Sequence, residues 1–343
     1  MSDIMSAATH CFEIREFKAP LAFECRRLPP PTADEVLVKI NSTSLNYRDI
    51  LVRQGDYNPR FSLPLVPASD GAGEVMAVGI NVGQYVRGSR VTLTYMEGWP
   101  DGPLTDRSRR ATLGGPVDGV LTQMRLVSAS NLVATPTELT DAEAACFPCA
   151  GVTAWTALVD HCRVTAGDWV LVQGTGGVSL FALQFAKAMG ALVAVISSSD
   201  EKLEVARRMG ADHTLNYRET PDWSKAILDE IGPMQHVIEV GGGQTLEHSL
   251  RVVATAGNVA LIGVLSGVKA SLAVTSILMR GIKVHGVAVG SKRNMEDMFR
   301  AVAAHGIKPV IDRSFGFRDA ESAYDHLRAA THLGKVVIEG FDG

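Results

Sequence analysis

The sequence predicts an α/β protein with two parts: a mostly β domain and a doubly wound parallel-sheet domain. Three observations carry this. From Trp169 onward, strand-like and helix-like patterns alternate. Before that, residues 1 to about 135 hold short alternating runs separated by Gly, Pro and Asn clusters. And 343 residues are too many for one ordinary core and suit two domains.

The first part opens with runs such as Glu35–Ile40 and Arg90–Thr94, which alternate as half-buried strands do. Trp99 to Pro116 is rich in Gly, Pro, Asp and Arg and reads as a long exposed loop or lid. Thr140-Asp141-Ala142-Glu143 has the pattern of a capping box and opens a helix. In the second part the expected strands are Trp169–Gln173, Leu192–Ser197, His213–Tyr217, His236–Val240, Asn258–Ile262 and Lys283–Val287. Helical patterns such as Val178–Met189 and Asp200–Met209 lie between them. After Gly290 come a helix Asn294–His305, a strand Pro309–Asp312, a helix from Asp319 and a strand Lys335–Glu339. These are too few for a third domain and are expected to complete the first.

Composition sets limits. The chain is 46% hydrophobic and 20% charged, with a net charge of −4 and a pI near 6.1. That balance argues against nucleic-acid binding, which needs a basic surface. The five cysteines have no framework spacing, which points to a reducing compartment. No signal-peptide core opens the chain and no apolar run approaches the ~18 residues of a membrane helix. The expectation is a soluble cytoplasmic protein without a membrane partner.

Between the first parallel strand and its helix lies Gly174-Thr175-Gly176-Gly177-Val178. Glycines let the backbone turn sharply and approach a pyrophosphate, and the helix N-terminus offers free N–H groups. A strand before and a helix after make this a dinucleotide loop rather than a bare turn. Where NAD-specific folds carry an acid on the ribose, roughly 20 residues on, this chain has Ser197-Ser198. A hydroxyl does not repel a 2′-phosphate and Lys202 could neutralise one, so NADPH is favoured over NADH.

Together with these features, Leu45-Asn46-Tyr47-Arg48-Asp49, Pro64 to Val75, Pro148 to Trp155, Asn216-Tyr217-Arg218 and Gly334-Lys335-Val336-Val337 resemble the medium-chain dehydrogenase/reductase superfamily. The resemblance is to its zinc-independent quinone-oxidoreductase-like branch, also labelled zinc-type alcohol dehydrogenase-like. It implies a GroES-like β-barrel catalytic domain from residues 1–149 and 290–343, a Rossmann domain from 150–289, and a homodimer. Thr153 is carried to the nicotinamide side and Tyr217 to the adenosine side. Gly241, Gly263 and Leu265 lie at the strand ends where such cofactors bind. Lys335, in the closing motif, is expected at the cofactor.

Zinc-dependent relatives hold their metal with Cys, His and Cys. The matching positions here are Asn46, Ser69 and Cys149, and one thiolate does not make a catalytic zinc site. Trp99 to Pro116 also lacks the cysteines of a structural site. No metal is expected. Cys146-x-x-Cys149 reads as two buried thiols, and the nine histidines as mostly surface or helix-end residues.

Without a Lewis acid, hydride transfer to a quinone or an activated alkene suits the chain better than alcohol oxidation. The candidate catalytic residues are Asn46, Tyr47, Asp49 and Ser69. Asn46 serves equally as a hydrogen-bond donor in the cleft or as a turn-holder. A tyrosine common in such reductases is replaced by Leu51. The expected substrate is a small, apolar carbonyl compound or quinone. An alcohol or aldehyde dehydrogenase, and a low-turnover NADPH-binding sensor or structural protein, remain as alternatives.

Overall fold

A computed structural model describes residues 7–341. Two units divide the chain: Gly151–Val289, and the flanking segments Met1–Ala150 with Gly290–Gly343.

The flanking unit is mainly β. Strands β1 (Ala7–Glu13) and β2 (Ala22–Leu28) pair antiparallel. A seven-stranded sheet contains β3 (Glu35–Leu45), β4 (Asp70–Val78), β5 (Arg90–Leu93), β6 (Met124–Ser128) and β7 (Leu132–Ala134). It is completed by β14 (Ile311–Gly316) and β15 (Lys335–Glu339) from the end of the chain. Period-2 alternation places Val36, Val38 and Ile40 of β3 in the core with Lys39 between them facing outward. Each such burial contributes about 1.5–3 kcal/mol. β15 pairs antiparallel with β3, setting Val336 opposite Leu45. Helix α1 (Tyr47–Gln54) follows β3 directly and ends at Gly55 in the left-handed region.

The central unit holds a six-stranded parallel sheet. Its strands are β8 (Trp169–Gln173), β9 (Leu192–Ser197), β10 (His213–Asn216), β11 (Met234–Glu239), β12 (Val253–Leu261) and β13 (Lys283–Gly286), ordered β10-β9-β8-β11-β12-β13. The strand order reverses between β8 and β11, the switch point at which ligands of such sheets bind. Leu171, Ala194, Val237 and Val259 are fully buried in its core.

Several expectations need correction. The stretch from Trp99 to Pro116 is not one exposed loop. The Trp99 ring is buried and its Nε1–H donates to the Gly102 carbonyl at 3.0 Å, while Thr112 and Leu113 are buried. Pro100 to Arg110 is exposed apart from Ser108, with a short helix α2 (Asp106–Arg109) near its end. Counting polar residues overlooked how much apolar area one indole and one leucine bury. The expected Pro309 strand starts at Ile311, since proline has no N–H to give a ladder. An apolar run of near-spanning length does exist. Asp141–Cys162 is one 22-residue helical stretch that holds an 18-residue window of mean hydropathy 1.3, but 72% of that window is buried inside the protein. That is a core helix, and the Thr140–Glu143 capping box opens it as expected. Among the described histidines only His236, on β11, is buried.

Candidate functional site

In the flanking unit, a chain of polar side chains runs behind α1. Asn46 occupies the N-cap position of α1, and its backbone N–H donates to Asp49 Oδ2 at 2.8 Å. Lys335, on β15, donates from Nζ to the Leu45 carbonyl at 2.7 Å and to Asn46 Oδ1 at 2.6 Å. An ammonium only donates, so the amide atom it faces is the oxygen. The Asn46 nitrogen therefore faces Ser69 Oγ, 3.4 Å away. Ser69 in turn donates to Asp70 Oδ1 at 2.8 Å, and the Cys149 backbone N–H donates to Asp70 Oδ2 at 3.1 Å. The donors all point one way: Lys335 to Asn46 to Ser69 to Asp70. Lys335, Ser69 and Asp70 are buried, and Asn46 is the partly exposed member.

Local backbone aims these groups. Ala68, fully buried, sits at φ +66°, a left-handed conformation that costs an alanine about 1–2 kcal/mol. It turns the chain so that Ser69 and Asp70 enter β4 beside β3. Arg48 fixes the other side of α1. Its Nη1 and Nη2 donate to the Leu113 and Gly115 carbonyls at 2.9 Å each, and the Tyr57 and Tyr95 rings flank its guanidinium at 5.1 Å.

The electrostatics follow from burial. Burial pushes the Asp49 carboxyl up to about 6, against the opposing pull of Arg48 and the Asn46 N–H. Its Oδ1 accepts no hydrogen bond. Burial likewise raises Asp70, opposed by Lys335, Asn46 and Ser69. The Cys149 thiol is pushed up by burial and then by Asp70. Catalytic zinc takes three protein donors drawn from thiolate, imidazole and carboxylate groups. Asn46 offers an amide and Ser69 a hydroxyl, and the single thiol of Cys149 does not make that donor set. Among the described residues no cluster of His, Cys, Asp or Glu has the arrangement to hold a metal.

In the central unit, β8 ends at Gln173 and Gly174 turns at φ +72°, a conformation glycine adopts without strain. Gly176 caps the helix Gly177–Ala188, which starts one residue before the expected Val178. The N–H groups of its first turn have no intrahelical acceptors, which suits a pyrophosphate. Thr175 Oγ1 and Ser197 Oγ are 3.5 Å apart, and the Tyr217 N–H donates to the Ser197 carbonyl at 3.0 Å. Ser199 caps the next helix, and Asp200 accepts from Asn216 Nδ2 at 3.0 Å. A β-carbon on Gly263 would lie 2.2 Å from the Val240 carbonyl oxygen, so the loops after β11 and β12 require glycine there.

The expected site residues thus fall into two groups. Asn46, Ser69 and Lys335 join one hydrogen-bonded chain, with Asp49 bound to the Asn46 backbone. Tyr47, 45% exposed, stands apart from it. Gly174 to Val178, Ser197, Ser198, Gly241 and Gly263 follow or end parallel strands at the carboxyl edge of one sheet, with Leu265 exposed beyond β12. Thr153 is buried within its helix, Lys202 is partly buried in the helix Asp200–Arg208, and Tyr217 is exposed. A cavity of about 310 Å³ lies elsewhere, at the far end of α1, lined by Lys18, Arg53, Gln54 and Tyr324 among others. Sequence reasoning missed Gln173 and Glu239, two polar side chains buried at the ends of apolar strands. That burial-prone placement was the available signal.

Residues 32–137 match the family model of the alcohol dehydrogenase GroES-like domain, and residues 177–304 that of the zinc-binding dehydrogenase. A zinc-type alcohol dehydrogenase-like protein of Schizosaccharomyces pombe is 42% identical over 89% of this chain and 90% of its own. The chain belongs to the medium-chain dehydrogenase/reductase superfamily. A candidate alcohol dehydrogenase of Sinorhizobium meliloti 1021, whose structure is solved, superposes with a TM-score of 0.91. It has 42% identity and covers 98% of this chain and 100% of that one. An acryloyl-coenzyme A reductase of Metallosphaera sedula is 29% identical over 90% of this chain and 93% of its own. The superfamily comprises nicotinamide-dependent oxidoreductases acting on small molecules. Its GroES-like and Rossmann folds account for the β-rich and parallel-sheet units of this member.

Proposed function

We propose that this superfamily member is a zinc-independent reductase that uses NADPH to reduce an activated carbon–carbon double bond or a quinone. The observation that carries the reading is the Lys335–Asn46–Ser69–Asp70 chain, in which Asn46 and Ser69, at two of the three positions that the resemblance assigns to zinc ligands, are bonded to each other and to their neighbours. Bound nicotinamide supplies the hydride. In this reading the first-turn N–H groups after Gly176 hold the pyrophosphate, and Ser197, Ser198 and Lys202 accept the 2′-phosphate. Asn46 is the partly exposed member of the polar chain, and the second N–H of its amide donates to the substrate carbonyl oxygen as negative charge develops there. Lys335 strengthens that donor by drawing on the amide oxygen from behind. A proton from water completes the addition. Asp49 anchors the N-terminus of α1.

Reduction of a conjugated double bond agrees with the name of the acryloyl-coenzyme A reductase relative. The names of alcohol dehydrogenase relatives favour a second reading, alcohol or aldehyde oxidation. A homodimer is supported by the edge strand β13 and the adjacent helix Val274–Arg280, of which no residue is buried. Leu278 and Met279 are 77% and 79% exposed there.

NADPH oxidation screened against quinones, enones, enoyl thioesters and aldehydes tests the reading, alongside metal analysis of the purified protein. Turnover of enones or quinones without bound metal is expected. One tightly bound equivalent of zinc, or turnover confined to alcohols and aldehydes, would overturn it.

A further inference from the structure

At the end of β11, Glu239 is fully buried, and no lysine or arginine pairs with it among the described residues. Its Oε1 accepts from the Gly241 N–H at 2.8 Å, the Gly242 N–H at 2.9 Å and Thr245 Oγ1 at 2.6 Å. Its Oε2 accepts from Gln173 Nε2 at 2.8 Å and from Ser249 Oγ. Gln173 also donates to Ser249 Oγ at 2.7 Å, and its Oε1 accepts the Val240 N–H at 3.3 Å. All five groups facing the carboxyl are donors, so an acceptor-only side chain satisfies them and an amide does not.

These bonds reach three loops. Gln173 is the last residue before Gly174. Gly241 and Gly242 form the loop after β11. That loop in turn holds the loop after β12: the Gly241 carbonyl accepts from Ser266 N–H at 2.7 Å, and the Gly267 carbonyl accepts from Gly243 N–H at 2.8 Å. We infer that Glu239, paired with Gln173, is a positioning residue that sets the phosphate loop and the two neighbouring loops in one register for the dinucleotide. The inference rests on the reading that this unit binds a nicotinamide dinucleotide.

The pair allows a swap. In Glu239→Gln, the new amide nitrogen meets the Gln173 nitrogen, and turning Gln173 over only moves the donor–donor conflict to the Val240 N–H. In Gln173→Glu, two carboxylates face each other. In the double variant, the amide at 239 keeps its oxygen toward Gly241, Gly242 and Thr245, and its nitrogen donates to the carboxylate at 173. The carboxylate at 173 also still accepts the Val240 N–H. Every bond is restored with the roles exchanged.

The test measures NADPH affinity by fluorescence titration well below the unfolding temperature, with thermal midpoints recorded separately. Each single variant is expected to weaken NADPH binding about tenfold or more, and the double variant to recover to within about threefold of wild type. Wild-type affinity in the folded single variants, even with a lowered midpoint, would overturn the positioning role. So would a double variant no better than the weaker single. If the wild-type protein bound neither NADPH nor NADH, the nicotinamide reading itself would fall and the positioning role with it. Recovery of the midpoint alone in the swap would then identify a purely structural network.

Discussion

Lys335 Nζ stands 2.6 Å from Asn46 Oδ1, joining residues 289 positions apart. The contact fixes the amide with its nitrogen away from the ammonium. Lys335→Met removes the charge and leaves the amide free to turn. It is expected to lower kcat about 10²-fold, the scale for losing one charge-stabilising donor. The dissociation constant for NADPH should change little. Lys335→Arg keeps the charge but not the point geometry, and should fall between. If NADPH affinity and kcat dropped together, Lys335 would belong to the cofactor site.

Asp49 predicts a pH dependence. Its folded-state value of about 6 lies above the ordinary carboxyl value of 3.8, so folding favours the protonated form. Its contribution to stability is fully present below about pH 4 and is lost as pH rises through 6. Asp49→Asn should abolish this loss. Relative to wild type, the variant should gain up to about 3 kcal/mol between pH 4 and 7. Urea unfolding across that range reads the difference, and a flat difference would refute the assignment.

Ala68 at φ +66° is strained where glycine would not be. Ala68→Gly relieves about 1–2 kcal/mol of left-handed strain and returns roughly 0.5–1 kcal/mol as chain entropy. A net gain of a few tenths to 1 kcal/mol is expected, visible as a higher thermal midpoint. A lower midpoint would show that the methyl's packing outweighs the strain.

Ser197 ends β9 where an acid would repel a 2′-phosphate. NADPH should bind more tightly than NADH, and Ser197→Asp should weaken NADPH at least tenfold, since like charges in contact cost several kcal/mol. Parallel titrations with both nucleotides decide it; equal or tighter NADH binding by the wild-type protein would defeat the serine argument.

Much of this was legible because it is local. Trp169–Gln173 and Leu192–Ser197 are apolar, β-branched runs bounded by glycine or polar residues, and both strands form with those bounds. The early start of β12 at Val253 was not legible. Ala256 takes φ +60° inside the strand, where the register of β12 against β11 shifts between Val253 and Asn258. At the polar chain, Asn46 and Ser69 stood out as replacements within a motif. Their connection to Lys335 did not, because it depends on β15 pairing with β3. Glu239 was missed for a related reason: its donors come from residues 173, 241, 242, 245 and 249, and only the fold gathers them.

The position of β15 beside β3 has a consequence for synthesis. β3 borders β15, β4 and β6, but β15 leaves the ribosome after the whole segment Gly151–Val289 has been made. That middle segment is continuous in sequence and can complete its own sheet as it emerges. The flanking unit must wait with the Ser42–Leu45 stretch of β3 unpaired on one edge, a template for mispairing with other nascent chains. β15 both covers that edge and delivers the ammonium to Asn46. Completion of the barrel and completion of the polar chain are therefore one event, and a chain stalled before residue 335 would have neither.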